Sequence, residues 1–193
     1  MENTQQFAEF IEPTKCAVVM WDVQNMLVDK IFNKDEFLSN AKNLHSIATT
    51  KKVPVFFTKI TPLPERFESP ARKFFMKNRP RNIQFTPDGF NLVIKPLEGD
   101  IILNKNTASI FVGTNFELVM RNAGLSTIIF SGISTELGIE SSARDALNRG
   151  FFPVVVRDAV SSSNREAHER SLQNLANMML LLSTDELLAL WKK

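Results

Sequence analysis

The sequence predicts one α/β domain built on a doubly wound parallel sheet of about six strands, with helices on both faces. Three observations carry this expectation. Short apolar runs of strand length alternate along the chain with segments whose apolar residues recur at helical spacing. The first of these runs is continuous rather than alternating in polarity, as expected of a strand covered on both faces. The chain has 193 residues and 44% hydrophobic content, enough for one well-buried core and short for two, so residues 1–193 read as a single domain.

Residues 1–13 are polar with scattered apolar positions and read as a short leading helix or arm. Cys16 to Asp22 is an apolar run ending on an acid, the first strand. Open α/β sheets place their ligands at the carboxyl ends of strands, although an aspartate there serves equally well to cap the following turn. Asp35 to Lys52 has helical spacing in Phe37, Ala41, Leu44 and Ala48; His45 within it reads as packed or solvent-facing rather than catalytic. Val53 to Thr58 is the second strand, with Pro54 tolerable near its start.

From Lys59 to Gly99 the chain is rich in proline, phenylalanine and basic residues, an excursion on the ligand side of the sheet with a helix across Ala71 to Lys77. Between Lys59 and Arg81 it carries +5, against −3 for the remainder of a chain whose net charge is +2. Such charge is usually a solvated surface or an oligomer contact; alternatively, one of its arginines binds a substrate carboxylate with the bidentate guanidinium fork. Asp100 to Leu103 is a short strand leading to Lys105, and Thr114 caps a helix stopped by Gly124.

Leu125 to Phe130 is a buried strand that ends in a tight turn, and Ile139, Ala143, Ala146 and Leu147 then follow helical spacing. In such a unit the first free N–H groups of the helix point into the turn and favour an anion or oxyanion, so chemistry is expected there. Phe151 to Val156 is the next strand and Arg157 to Ser162 its exit loop. A helix from Ser163 or Asn164 carries His168, read as a surface or interface residue. Met178 to Leu182 is the last strand, and Thr184 caps a terminal helix with Leu187, Leu188 and Trp191 on its apolar face. Arg144 and Asp145 read as a structural ion pair.

The near-neutral charge gives no reason to expect nucleic acid or membrane as a partner. Cys16 is the one cysteine, so no internal disulfide can form. The amino terminus lacks a signal-peptide pattern, and no apolar run approaches the roughly 20 residues that span a bilayer, which points to the cytoplasm.

The stretch Gly132-Ile133-Ser134-Thr135-Glu136-Leu137-Gly138-Ile139-Glu140-Ser141-Ser142-Ala143-Arg144-Asp145-Ala146 resembles the signature of the isochorismatase-like hydrolases, the cysteine hydrolase superfamily. Asp22-Val23-Gln24-Asn25 is similar to the family's Asp-x-Gln motif, and Lys105, Ser109 and Phe111 match its Lys-x-x-x-Ser-x-Phe segment. The resemblance covers roughly residues 14 to 189. It implies the doubly wound fold, Asp22 and Lys105 as catalytic residues, and substrate contacts at Gln24, Ile133, Ser134 and Gly138. It further implies a cis peptide at Ile133–Ser134 and a homo-oligomer, dimer or tetramer.

Gly138 stands where most relatives have the nucleophilic cysteine. Covalent amidase chemistry is therefore disfavoured, since glycine offers no nucleophile to activate. Cys16 cannot substitute, lying about 20 Å from Asp22 at the usual strand rise. The zinc site of the nicotinamidase branch needs two histidines after the second strand, and Lys59 to Phe75 contains none, so neither metal nor cofactor is expected.

Three readings follow, all with a small molecule as the ligand and an anion if the basic excursion takes part. In the first, Asp22 protonates a vinyl ether, as in true isochorismatases, which also carry glycine at this position. In the second, Asp22 is the base for water attacking an ester or amide, with backbone donors as oxyanion hole. In the third, the protein is a catalytically silent member that binds a small molecule or a partner. Glycine costs roughly 1 kcal/mol against alanine inside a helix, which suggests that a ligand uses the space left at Gly138. A Lys105 ammonium beside Asp22 favours the base; an acid role requires burial strong enough to offset it. Glu136 reads as a first-turn acid favourable to the helix dipole as readily as a catalytic group.

Overall fold

The computed structural model describes residues 7–78 and 86–192. Arg79, Arg81 and the start of the expected leading arm lie outside the described residues. The six apolar runs form β1 (Cys16–Trp21), β2 (Val55–Ile60), β3 (Ile101–Lys105), β4 (Thr127–Ile133), β5 (Phe152–Ser161) and β6 (Leu180–Leu182). All pairings are parallel, in the order β3-β2-β1-β4-β5-β6.

Every residue of β1 is buried, because the strand is covered on both faces. Val18 and Met20 join one core with Phe37, Ala41 and Leu44 of helix α1 (Lys34–Thr50). Ala17, Val19 and Trp21 join the opposite core, which includes Phe116 and Met120, and Ala143 and Ala146. The main helices after α1 are α2 (Pro70–Asn78), within the basic excursion, α3 (Phe116–Asn122), α4 (Glu140–Asn148), α5 (Arg165–Ala176) and α6 (Thr184–Trp191). Helices α1 and α6 cover one face, and α3, α4 and α5 the other. Strand order therefore reverses between β1 and β4, and the carboxyl ends of those two strands flank the crevice where such sheets bind ligands.

Gly132 lets β1 and β4 approach at that crevice. Its φ is +120°, and a Cβ there would lie 2.1 Å from the Trp21 carbonyl oxygen.

Several expectations need correction. Arg157 to Ser162 is not an exit loop: β5 continues to Ser161 through a bulge, since Phe130 pairs with Val155 but Gly132 with Val160. Ser183, not Thr184, caps α6, in a capping box with Glu186; the Thr184 N–H and hydroxyl instead donate to Asp158 Oδ1 at 2.8 and 2.9 Å. Arg144 and Asp145 do not pair with each other. Arg144 binds Glu140 at 2.7 Å and Arg149 binds Asp145 at 3.2 Å, both at the i,i+4 spacing that brings helical side chains together. His168 is buried rather than on the surface, its Nδ1 2.8 Å from Thr135 Oγ1. His45 is packed, its Nε2 2.7 Å from Asp100 Oδ2 and its ring edge-on to Phe57.

Candidate active site

Asp22 is the first residue beyond β1, with φ +48° turning the chain out of the strand. Three hydrogen bonds hold it. Its backbone N–H donates to Thr58 Oγ1 at 3.0 Å, and that hydroxyl donates back to Asp22 Oδ1 at 2.6 Å. Lys105, the last residue of β3, donates from Nζ to Asp22 Oδ2 at 2.7 Å. Thus β1, β2 and β3 each supply one member from their carboxyl ends. The ammonium also lies 3.9 Å from the centre of the Trp21 ring, within cation–π range.

The pair is almost closed to solvent, with 2% of the Lys105 side chain and 3% of the Asp22 side chain exposed. Burial pushes the Asp22 carboxyl above the ordinary carboxylate range, against the opposing charge and hydrogen bond of Lys105 and the hydroxyl of Thr58. Burial likewise pushes Lys105 down, against the pull of Asp22 and with a small contribution from Arg72. Burial thus shifts each group toward its neutral form, against the attraction between the two.

Asp22 and Lys105 line a cavity of about 250 Å³ together with Ile133, Ser134, Gly138 and Arg72. Ile133 and Ser134 arrive from the end of β4, and the peptide bond between them is cis. The next five residues, Thr135–Ile139, form a π-helical turn before α4, a geometry frequent at functional sites. Behind it, the Thr135 hydroxyl donates to Ser161 O at 3.1 Å and so accepts from His168, which must carry its proton on Nδ1. Glu136 is absent from the cavity lining; its Oε1 accepts from Ser162 Oγ at 2.9 Å.

Gln24 does not fit its expected substrate-binding role. It is fully buried and absent from the cavity lining. Its Nε2 donates to Phe90 O at 2.9 Å, and its Oε1 accepts from Ile60 N at 2.9 Å. Both ends of the amide are engaged with backbone, which makes Gln24 a brace between β2 and the returning excursion.

The space at Gly138 is also not what the sequence suggested. An added Cβ would lie 2.0 Å from Trp21 Nε1 and 2.2 Å from its Cε2. The indole fills the volume that a ligand was expected to use. Trp21 and Thr58 were not singled out from the sequence; the one signal for Trp21 is a bulky aromatic immediately before the acid.

Arg72 is the basic residue of the excursion that reaches the cavity among those described. It sits in the first turn of α2, held by Asn106 O at 3.3 Å and Glu68 at 3.5 Å. Among the described residues, no group of three or more His, Cys, Asp or Glu is placed to hold a metal ion, and no helix is long and apolar enough to cross a membrane.

A family model described as the isochorismatase domain matches residues 16–186. The ureidoacrylate amidohydrolase RutB of Methylobacterium radiotolerans is 32% identical over 118 residues, 58% of this chain and 46% of that protein. The maleamate amidohydrolase of Pseudomonas putida is 34% identical over 79 residues, 41% of this chain and 37% of that protein. The chain thus spans less than half the length of the curated relatives it matches. Among solved structures, a cysteine hydrolase from Pseudomonas syringae pv. phaseolicola 1448A aligns with a TM-score of 0.84 at 18% identity, covering 94% of each chain, a likeness of fold.

Proposed function

The chain belongs to the isochorismatase family, matched over residues 16–186, and from that premise we propose that it hydrolyses a small carboxylate-bearing molecule without an enzyme nucleophile, using Asp22 as general acid. The observation that carries this reading is the buried Asp22–Lys105 contact of 2.7 Å at a cavity whose residue 138 is glycine. An acid must hold its proton near neutral pH, and burial of Asp22 acts in that direction. The Lys105 ammonium then stabilises the carboxylate that forms on Asp22 as the proton leaves. Arg72 is suited to a substrate carboxylate by its forked donors.

The most concrete form is hydrolysis of a vinyl ether such as isochorismate. Asp22 gives its proton to the terminal vinyl carbon, water adds to the oxygen-bearing carbon, and the resulting hemiketal breaks its carbon–oxygen bond. Pyruvate and a diol leave, and the proton released from water returns to Asp22. The test is pyruvate release from isochorismate by the wild type and Asp22→Asn. Turnover by the first and none by the second supports the reading; no turnover by either overturns the vinyl ether assignment.

A second reading has Asp22 as base for water attacking an amide. What favours it is similarity to proteins named for ureidoacrylate and maleamate, both small carboxylates with a hydrolysable C–N bond. Ammonia release from those two compounds, with Asp22→Asn as control, distinguishes it.

A further inference from the structure

Gly138 is required here by its neighbour. Carbon atoms in contact settle about 3.5–4.0 Å apart, whereas a Cβ at 138 would stand 2.0, 2.2 and 2.5 Å from Nε1, Cε2 and Cζ2 of Trp21. The indole is held on several sides, although one edge borders the cavity. It is 1% exposed and packed in the core that includes Val19, Phe56 and Phe130. Lys105 Nζ lies over its ring, and its backbone is pressed against Gly132. The steric conflict therefore falls on a large, well-packed ring, which would have to shift to admit a Cβ.

We propose that Trp21 is the positioning residue that decides the reaction class of this site: its indole holds the place of a nucleophile at 138 and its face seats the Lys105 ammonium against Asp22. With that place filled, the Asp22–Lys105 pair can exchange protons with substrate and water but has no nucleophilic side chain at 138 to activate. Only this chemical consequence rests on reading the cavity as the active site. The steric pairing of Trp21 with Gly138 stands without it.

The arrangement has a reciprocal consequence. A Lys105 ammonium is the kind of neighbour that lowers a thiol pKa, and the Asp22 carboxylate is a base that can take the thiol proton, so a thiol at 138 becomes reactive once the indole is removed. Cys16 does not obscure the readout, because it is buried and its thiol is pushed up to about 12.

Two measurements test the proposal. The first is thermal unfolding of wild type, Gly138→Ala, Trp21→Val and the double variant. Gly138→Ala is expected to lower the midpoint by roughly 3–10 °C beside the native indole and to cost little in the Trp21→Val background. Gly138→Ala failing to fold alone while the double variant folds is the same result in stronger form. A penalty or folding failure equal in both backgrounds overturns the proposal.

The second is alkylation by iodoacetamide at pH 7, located by peptide mass analysis, in Gly138→Cys alone and combined with Trp21→Val. Modification at 138 is expected to be at least about tenfold faster in the combination. Equal rates overturn the assignment of Trp21 to the nucleophile's place. Neither measurement reads substrate turnover, so loss of the hydrolase reading would leave the steric result intact, and failure of the pairing would leave the turnover assay unaffected.

Discussion

Lys105 Nζ lies 2.7 Å from Asp22 Oδ2, and no more than 3% of either side chain reaches solvent. Burial acts on each group more strongly than their mutual attraction does, yet removing one leaves the other buried without its partner.

Lys105→Met is therefore expected to destabilise the fold in a pH-dependent way. The folded pKa of Asp22 is already above its ordinary value of 3.8, and losing Lys105 raises it further. A folded pKa above the unfolded one means that the native state binds more protons, so stability falls as pH rises through that window. The variant's penalty should be smallest at pH 3.5, below the ordinary value of 3.8, and larger at pH 7, approaching the ~3 kcal/mol typical of a buried charge left without its partner. Denaturant unfolding at the two pH values checks this, and a penalty independent of pH would contradict it.

Arg72→Gln separates recognition from folding. The side chain is 30% exposed and its contact with Glu68 is a loose 3.5 Å, so its contribution to stability is within about 1 kcal/mol. A charged hydrogen bond to a substrate carboxylate is worth about 1.5–3 kcal/mol. On isochorismate, kcat/KM should fall roughly 10- to 100-fold with the unfolding midpoint unchanged, while Arg66→Gln, outside the cavity lining, should have no kinetic effect. Equal kinetics for both variants would remove Arg72 from the site.

The fold was legible because its strands announce themselves: the run from Cys16 to Trp21 is fully buried in the structure and contains no polar residue. Asp22 and Lys105 were legible through motifs, each at the end of its strand. What escaped were relationships between distant segments. Nothing near Gly138 names Trp21 as the occupant of its missing side chain, and nothing near Gln24 shows that Ile60 and Phe90 supply its partners. The polar pair Arg157-Asp158 looked like a loop because a bulge lets β5 carry them, with Arg157 turned to Glu186 and Asp158 holding the start of α6.

Gln24→Leu tests the reassigned brace. The change keeps the volume but leaves Phe90 O and the Ile60 N–H without their side-chain partner. An intramolecular hydrogen bond contributes about 0.5–1.5 kcal/mol, so loss of the two should lower unfolding free energy by about 1–3 kcal/mol. If Gln24 contacted substrate instead, KM would rise with stability unchanged, and the two measurements together decide between those roles.

Glu186 offers a charge effect far from the site. Its Oε2 accepts from Arg157 Nη1 at 2.7 Å and from Ser183 N at 2.7 Å, and these bonds hold its carboxyl down at about 2, against an ordinary 4.5. A depressed native pKa means that the unfolded chain binds more protons between those values, so the stabilisation is complete above pH 4.5 and is lost as pH falls through about 2. Glu186→Gln retains a capping-box residue and removes only the charge. With 47% of the Glu186 side chain exposed, solvent screening limits the cost at pH 7 to below about 1 kcal/mol. The difference from wild type should shrink in 1 M salt, where the screening length is about 3 Å, and should shrink again towards pH 2.5. A difference that stays constant from pH 7 to pH 2.5 would show that the Arg157 contact does not depend on the Glu186 charge.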